Sequence, residues 1–168
     1  MKNDNSKSEP LAEVKSSLKQ LLTKQAELQA IEAHYTETEQ RRIKLEGTVD
    51  FTNRDELAEL GLVRTAESLF PARINAMNGQ VDAAADELYE ICNMLVVGHL
   101  NPRLTEQMRA EESRLADEFG SQAAAALRMS KRAREIQEKM DIATVRPIER
   151  ERIAAHAQAL IALAENVK

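Results

Sequence analysis

The chain has 168 residues and a formal net charge of −5 at pH 7, and about half of its residues are alanine, leucine, glutamate, arginine or lysine. This composition is typical of long helices and coiled coils. Valine, isoleucine, leucine and phenylalanine make up fewer than one residue in four, so we expect a thin helical core. The sequence contains no apolar run of the ~18 residues that a transmembrane helix needs, no apolar secretory signal and only one cysteine, Cys92. We therefore expect a cytoplasmic protein with no membrane partner.

The first predicted helix covers residues 9–46 and follows a polar tail, residues 1–8, that we expect to be disordered. Ser8 is a suitable N-cap with proline in the first turn after it, and Gly47 is a typical C-terminal stop. Apolar residues recur at spacings of three and four along this helix, which predicts a coiled-coil-like seam. The seam consists of Leu11, Val14, Leu18, Leu21, Gln25, Leu28, Ile31, Tyr35, Thr38, Arg42 and Leu45.

The next stretch has the strongest helical periodicity, and Thr52 is its predicted N-cap. One apolar face persists through a proline, Pro71, which removes a backbone hydrogen bond and disfavours a helix interior. We therefore predict two collinear helices, 53–69 and 71–98, kinked or broken near Pro71 and packed on one partner. Their shared face consists of Leu57, Leu60, Val63, Ala66, Phe70, Ile74, Met77, Val81, Ala84, Leu88, Ile91 and Leu95.

Asn101 and Pro102 together indicate a new helix, with asparagine as N-cap and proline as the first helical residue. This third long helix is predicted over residues 102–141, with a bend at Gly120. A glutamate interrupts its apolar stripe near position 111. After a turn at 142–146, a last helix is predicted over residues 147–167. The stripe of the third helix consists of Leu104, Met108, Leu115, Phe119, Ala123, Ala126, Met129, Ala133, Ile136 and Met140, and that of the last helix of Ile153, Ala157, Leu160, Ala164 and Val167.

These elements predict an all-α fold with one helical domain over residues 9–168. Short connections place sequential helices antiparallel, which favours an elongated antiparallel bundle or coiled coil of three long helices with a short C-terminal helix. Alanine-rich faces bury little apolar surface, and burial contributes only about 25 cal/mol per Å². We therefore expect a homo-oligomer, because a second chain supplies the missing burial.

The sequence predicts no enzyme, no cofactor and no metal site. Di-metal bundles use a glutamate three residues before a histidine, and none of the three histidines has one. Cys92 lies beside an apolar stripe and is interpreted as core packing. The acidic residues between 82 and 90 are interpreted as a solvated helix face.

Charge divides unevenly along the chain. Residues 45–127 hold 15 acidic and 6 basic residues, whereas residues 128–152 hold 8 basic and 5 acidic residues. The basic region is the candidate interaction surface, and it meets either nucleic-acid phosphates or an acidic protein surface in the same or another chain. Interleaved acids favour pairing within the helices. The candidate residues are Arg128, Lys131, Arg132, Arg134, Arg146, Arg150 and Arg152.

The function favoured by these patterns is that of a non-enzymatic structural or protein–protein interaction protein, self-associating through coiled-coil-like helical packing. The first alternative is a small nucleic-acid-associated protein that uses the basic region 128–152. The second alternative is a metal-binding enzyme built within a helical bundle, which the absent motifs disfavour.

Overall fold

The computed structural model describes residues 9–144 and 152–167, and every regular element in this part of the chain is helical, as predicted. The predicted tail at residues 1–8 lies outside the described residues. The elements are α1 (Glu9–Thr48), α2 (Arg54–Leu95), a π-helical turn (Val96–Leu100), α3 (Asn101–Phe119), a 3₁₀ turn (Gly120–Gln122), α4 (Ala123–Met129), α5 (Lys131–Thr144) and α6 (Ile153–Asn166).

Helix α1 follows the sequence prediction closely. It extends two residues past the predicted end, and every side chain of its predicted seam is buried or half-buried.

The next helix, α2, is capped by Asn53 and not by Thr52. The side-chain oxygen of Asn53 accepts the backbone N–H groups of Asp55 at 3.1 Å and Glu56 at 3.4 Å. The Glu56 carboxylate in turn accepts the backbone N–H of Asp50 at 2.8 Å. Side chains thus satisfy two donors of the first helical turn and one donor of the loop before it.

Helix α2 runs without interruption through Pro71, so the predicted pair of helices, 53–69 and 71–98, is wrong. A proline interior to a helix costs about 3 kcal/mol in isolation. Here the residue before it, Phe70, packs on Tyr35 of α1 with ring centroids 5.6 Å apart. The apolar register also continues on both sides of the proline, so packing against α1 favours one continuous helix over a break.

The predicted boundary at Asn101 and Pro102 is also wrong. The backbone N–H of Asn101 donates to the carbonyl of Val96, five residues earlier, and Asn101 has helical angles of φ −58° and ψ −46°. Helical backbone therefore continues from α2 through the π turn into α3, where the sequence predicted antiparallel neighbours. Proline has no N–H to donate to the preceding turn. The wider π turn accommodates this loss while Leu95, Val96, Leu100 and Leu104 all remain buried.

The third predicted helix, 102–141, is wrong beyond Phe119, because the chain forms three shorter segments there. Gly120 ends α3 with φ 51° and ψ −122°, a conformation that other residues adopt only with strain. Ser130 is extended and its hydroxyl accepts the backbone N–H of Ala133 at 3.2 Å, so it caps α5. Of the predicted last helix, residues 147–151 lie outside the described residues, and α6 covers Ile153–Asn166.

Substitution of Gly120 by alanine is expected to destabilise the fold by about 1–3 kcal/mol, because the left-handed backbone there strains any L side chain. No heavy atom lies within 4 Å of the added Cβ, so the cost is conformational and not steric. Gly61 is the matched control, since it lies inside α2 with equally open space. Its replacement by alanine stabilises a helix by up to about 1 kcal/mol. Urea unfolding measures the change in the free energy of unfolding for both variants. Changes of the same sign would contradict a strained, positive-φ backbone at Gly120.

The chain forms two compact units. The hairpin unit, Gln20–Ala84, contains the second part of α1 and the first part of α2. These segments run antiparallel, since Lys24 contacts Gln80 near one end and Arg41 contacts Glu59 near the other, at 3.2 and 2.6 Å. Two helices enclose few side chains completely, and most of the seam between them is only half-buried. Its buried hydrophobic residues are Leu21, Ile31, Leu60, Val63 and Ala84.

The terminal unit, Met1–Lys19 with Ala85–Lys168, holds most of the buried core. Helix α6 is joined to α1 by an ion pair between Lys15 Nζ and Glu165 Oε1 at 2.7 Å. Arg103 Nη1 of α3 donates to the backbone carbonyl of Val167 at 3.3 Å. The apolar face predicted for the last helix is buried, apart from a half-buried alanine. This unit also contains a cleft between α3 and α4.

Candidate functional site

A cleft of about 860 Å³ lies in the terminal unit, between α3 and α4. The turn at Gly120 reverses the chain, so α4 runs back along the second half of α3 and brings Ser130 to Glu111. One helical stripe from each of these helices lines the cleft, and the start of α5 lies at its end. The lining residues are Glu111, Arg114, Leu115, Glu118 and Phe119 from α3, and Gln122, Ala125, Ala126, Met129, Ser130, Lys131 and Arg132 from the returning segment.

The side chain of Glu111 is fully buried at the polar end of this cleft. Arg114 holds it through two parallel hydrogen bonds, Nη2 to Oε1 at 2.9 Å and Nε to Oε2 at 3.0 Å. The Ser130 hydroxyl donates to Oε1 at 2.8 Å, and Arg132 Nε lies 3.8 Å from Oε2. A buried carboxylate is tolerated only when it is paired and hydrogen-bonded, and these three partners meet that requirement.

Hydrogen bonding sets the ionisation of this pair. The bonds from Arg114 and then from Ser130 lower the pKa of Glu111 to about 2, against the opposing effect of burial. The bond to Glu111 raises the pKa of Arg114 above its ordinary value. Both groups therefore stay charged at neutral pH. Arg114 also donates to Glu118 at 2.7 Å, so one guanidinium serves two carboxylates.

The other end of the cleft is apolar and open to solvent. Leu115 is buried in its floor, whereas 44% of Phe119 and 78% of Met129 are exposed. Helix α4 contributes small side chains between them and has no buried residue of its own. The cleft thus joins an exposed apolar surface to a charged end.

The structure divides the basic residues singled out by the sequence. Lys131 and Arg132 line the cleft, whereas Arg128 is exposed outside its lining. Arg134 donates to the backbone carbonyl of Met129 at 3.4 Å, and Arg152 is exposed at the start of α6. Arg146 and Arg150 lie outside the described residues. The sequence did not identify the burial of Glu111 or its pairing with Arg114, although the break in the apolar stripe near position 111 was a signal of it.

A second concave surface lies in the hairpin unit. This groove has a volume of about 380 Å³, and its lining residues are Glu27, Ala30, Ile31 and His34 of α1 with Phe70, Arg73 and Met77 of α2. Two exposed leucines, Leu62 and Leu69, lie seven residues apart on α2 and therefore share one side of it. Leu69 stands four residues before Arg73 of the groove lining. Leu62 stands four residues before Ala66, which is itself four residues before Phe70 of that lining. We call the groove together with Leu62, Ala66 and Leu69 the groove face.

The other side of the hairpin is covered by charge pairs. Arg42 pairs with Glu67 across the two helices and with Glu46 at 2.7 Å along α1. Glu46 also accepts from Arg64 at 2.7 Å. Hydrogen bonding from Arg64 lowers the pKa of Glu46, and hydrogen bonding to Glu67 raises that of Arg42. Charged side chains thus close this side of the seam, whereas the groove face has an apolar surface open to solvent.

The single cysteine, Cys92, lines neither the cleft nor the groove. Cys92 is buried, as predicted, and burial raises the pKa of its thiol to about 11. Among residues 9–144 and 152–167, no three His, Cys, Asp or Glu side chains converge as ligands of a metal ion do. Nor does any helix in those ranges have the length and apolarity needed to cross a membrane.

Comparisons of the chain with protein-family models, curated proteins and solved structures find no match. The interpretation of the cleft and the groove face therefore depends on their own geometry. Both surfaces combine exposed apolar side chains with charged groups at their edges, a combination that is typical of protein-binding surfaces.

Proposed function

We propose that this protein is a non-enzymatic structural or interaction protein of the cytoplasm that self-associates through the groove face of its hairpin unit. The observation that carries the proposal is the exposure of Leu62 and Leu69, 73% and 67%, beside an apolar groove. Full burial of a leucine is worth about 1.5–3 kcal/mol relative to exposure. Two leucines from each copy therefore supply a substantial part of the free energy that a dimer requires.

The half-buried seam supports the same proposal. Two helices leave one side of each seam residue in contact with solvent. A network of Arg42, Glu46, Arg64 and Glu67 covers one side of the seam, whereas the groove side has a single cross-helix ion pair among the described residues, Arg41 with Glu59. A second hairpin laid on the groove face encloses the remaining side. The product is a four-helix antiparallel arrangement with coiled-coil-like packing, which is a stable solution for amphipathic helices.

Charge complementarity favours one register for the two copies. A two-fold antiparallel pairing of α2 helices centred on Ala66 places Glu59 of each copy opposite Arg73 of the other. Arg73 has no ion-pair partner within the described part of the chain. Glu59 pairs with Arg41 at 2.6 Å, and both side chains of this pair are partly exposed to solvent. The small side chain of Ala66 at the centre allows close approach of the two helices. Leu62 then faces Phe70 of the second copy.

Replacement of both Leu62 and Leu69 by aspartate is expected to convert a dimer into a monomer, because four carboxylates would be buried without partners. Light scattering coupled to size-exclusion chromatography, over a range of protein concentrations, measures the change. Met94 and Val97 form the matched control, since 57% and 62% of these side chains are exposed outside the groove face. Their replacement by aspartate leaves the mass unchanged. Wild-type protein that stays monomeric at all concentrations, or a control that dissociates equally, contradicts the proposal.

A further inference from the structure

The walls of the cleft in the terminal unit are two antiparallel helical stripes. On α3 the lining residues recur at spacings of three and four from Glu111 to Phe119, and on the opposite wall they recur in the same way from Gln122 to Met129. Such a pair of stripes is the surface on which a third helix packs. A helix about 10 Å across occupies roughly 400 Å³ per turn, so the volume of the cleft corresponds to about two helical turns.

The side chains of the apolar end suit a helical ligand. Ala125 and Ala126 are small and allow close approach, while Leu115 forms an apolar floor. Phe119 and Met129 stand exposed at the rim. Methionine adapts its shape to different apolar partners and is common at surfaces that bind amphipathic helices.

The charges at the polar end are not balanced within the cleft. Both of its carboxylates, Glu111 and Glu118, are already paired with Arg114. Two further cations remain: Arg132, whose Nε is 3.8 Å from Glu111, and Lys131, whose side chain is 89% exposed and lies 3.7 Å from Glu135. These distances leave both cations able to bind another anion.

We propose that the cleft binds an amphipathic helix of a partner protein, with an apolar stripe against Leu115, Phe119 and Met129 and with acidic side chains against Lys131 and Arg132. This binding site shares no residue with the groove face. It is therefore independent of self-association, and each proposal can fail without the other.

Two synthetic peptides of about 18 residues, roughly 27 Å as helices, test this proposal. Both carry the same leucine stripe, and they differ only in having glutamate or lysine on the polar face. Fluorescence anisotropy is expected to show saturable binding of the acidic peptide to wild-type protein, weakening as salt is added. The basic peptide is expected to bind at least about tenfold more weakly.

Two variants separate the charged and apolar contributions. The double substitution Lys131→Glu and Arg132→Glu is expected to weaken binding of the acidic peptide at least about tenfold, whereas Arg54→Glu with Arg109→Glu, an equal charge change outside the cleft, leaves it nearly unchanged. Ala126→Trp fills the cleft and is expected to abolish binding. Circular dichroism verifies that each variant is folded. Absence of binding to wild-type protein, equal binding of the two peptides, or unchanged binding to Ala126→Trp overturns the proposal.

Discussion

Replacement of Glu111 with glutamine is expected to lower the thermal unfolding midpoint at pH 7 by about 5 °C or more. Glutamine keeps the shape of the side chain but removes the charge that pairs with Arg114 and accepts from Ser130. Glutamine replaces one carboxylate oxygen by an NH₂ group, so a donor would face the N–H donors of Arg114 at this buried position and a hydrogen bond would be lost. Glu112 is the control, since it neighbours Glu111 but is exposed. Its replacement by glutamine shifts the midpoint little, and an equal loss in both variants would contradict the role of Glu111.

The same pair predicts a pH dependence. The pKa of Glu111 is about 2 in the folded protein, below the ordinary glutamate value of 4.5. A group with a depressed folded pKa stabilises the fold above its unfolded pKa, and this stabilisation is lost as pH falls from about 5 towards 2. Wild-type protein should therefore lose more stability than Glu111→Gln over this range. Urea unfolding at several pH values measures the gap between them, which should narrow as pH falls. A gap that does not change would contradict the assignment.

Replacement of Leu104 with alanine is expected to destabilise the protein by about 2–5 kcal/mol, because it removes a fully buried side chain and leaves a cavity. Leu104 belongs to α3, which packs against α5 in the terminal unit. Met94 belongs to the same unit but is mostly exposed. Its replacement by alanine should change the free energy of unfolding by no more than about 0.5 kcal/mol. Similar losses in both variants would show that Leu104 does not belong to the core.

The buried faces of the helices were predictable because helical periodicity is a local property of the sequence. The seam predicted for α1 is buried or half-buried along its whole length. The face predicted for α2 is likewise turned away from solvent, apart from Leu57 and Ala66, and it keeps one register through Pro71. Alternation of apolar and polar side chains at helical spacing thus identified both the fold class and the sides that pack.

The ends of the helices were less predictable. Pro71 and the pair Asn101–Pro102 are local signals for a break, yet packing of Phe70 on Tyr35 and burial around the π turn keep the backbone helical at both places. A local preference of about 3 kcal/mol is smaller than the sum of several buried apolar contacts. Gly120 was correctly identified as a weak point, but its positive φ makes it a chain reversal and not a bend.

The sequence by itself determined that the chain is helical, which sides of its helices are apolar, and that an acid interrupts the stripe of the third helix. Only the tertiary structure decided where helices continue or reverse, and that Glu111 is buried and accepts hydrogen bonds from Arg114 and Ser130. The physical reason is that periodicity arises from neighbours three and four residues apart, whereas Ser130 reaches Glu111 across 19 residues through the turn at Gly120. The Glu111 carboxylate can be buried because the chain reversal at Gly120 brings its second hydrogen-bond donor, Ser130, next to it.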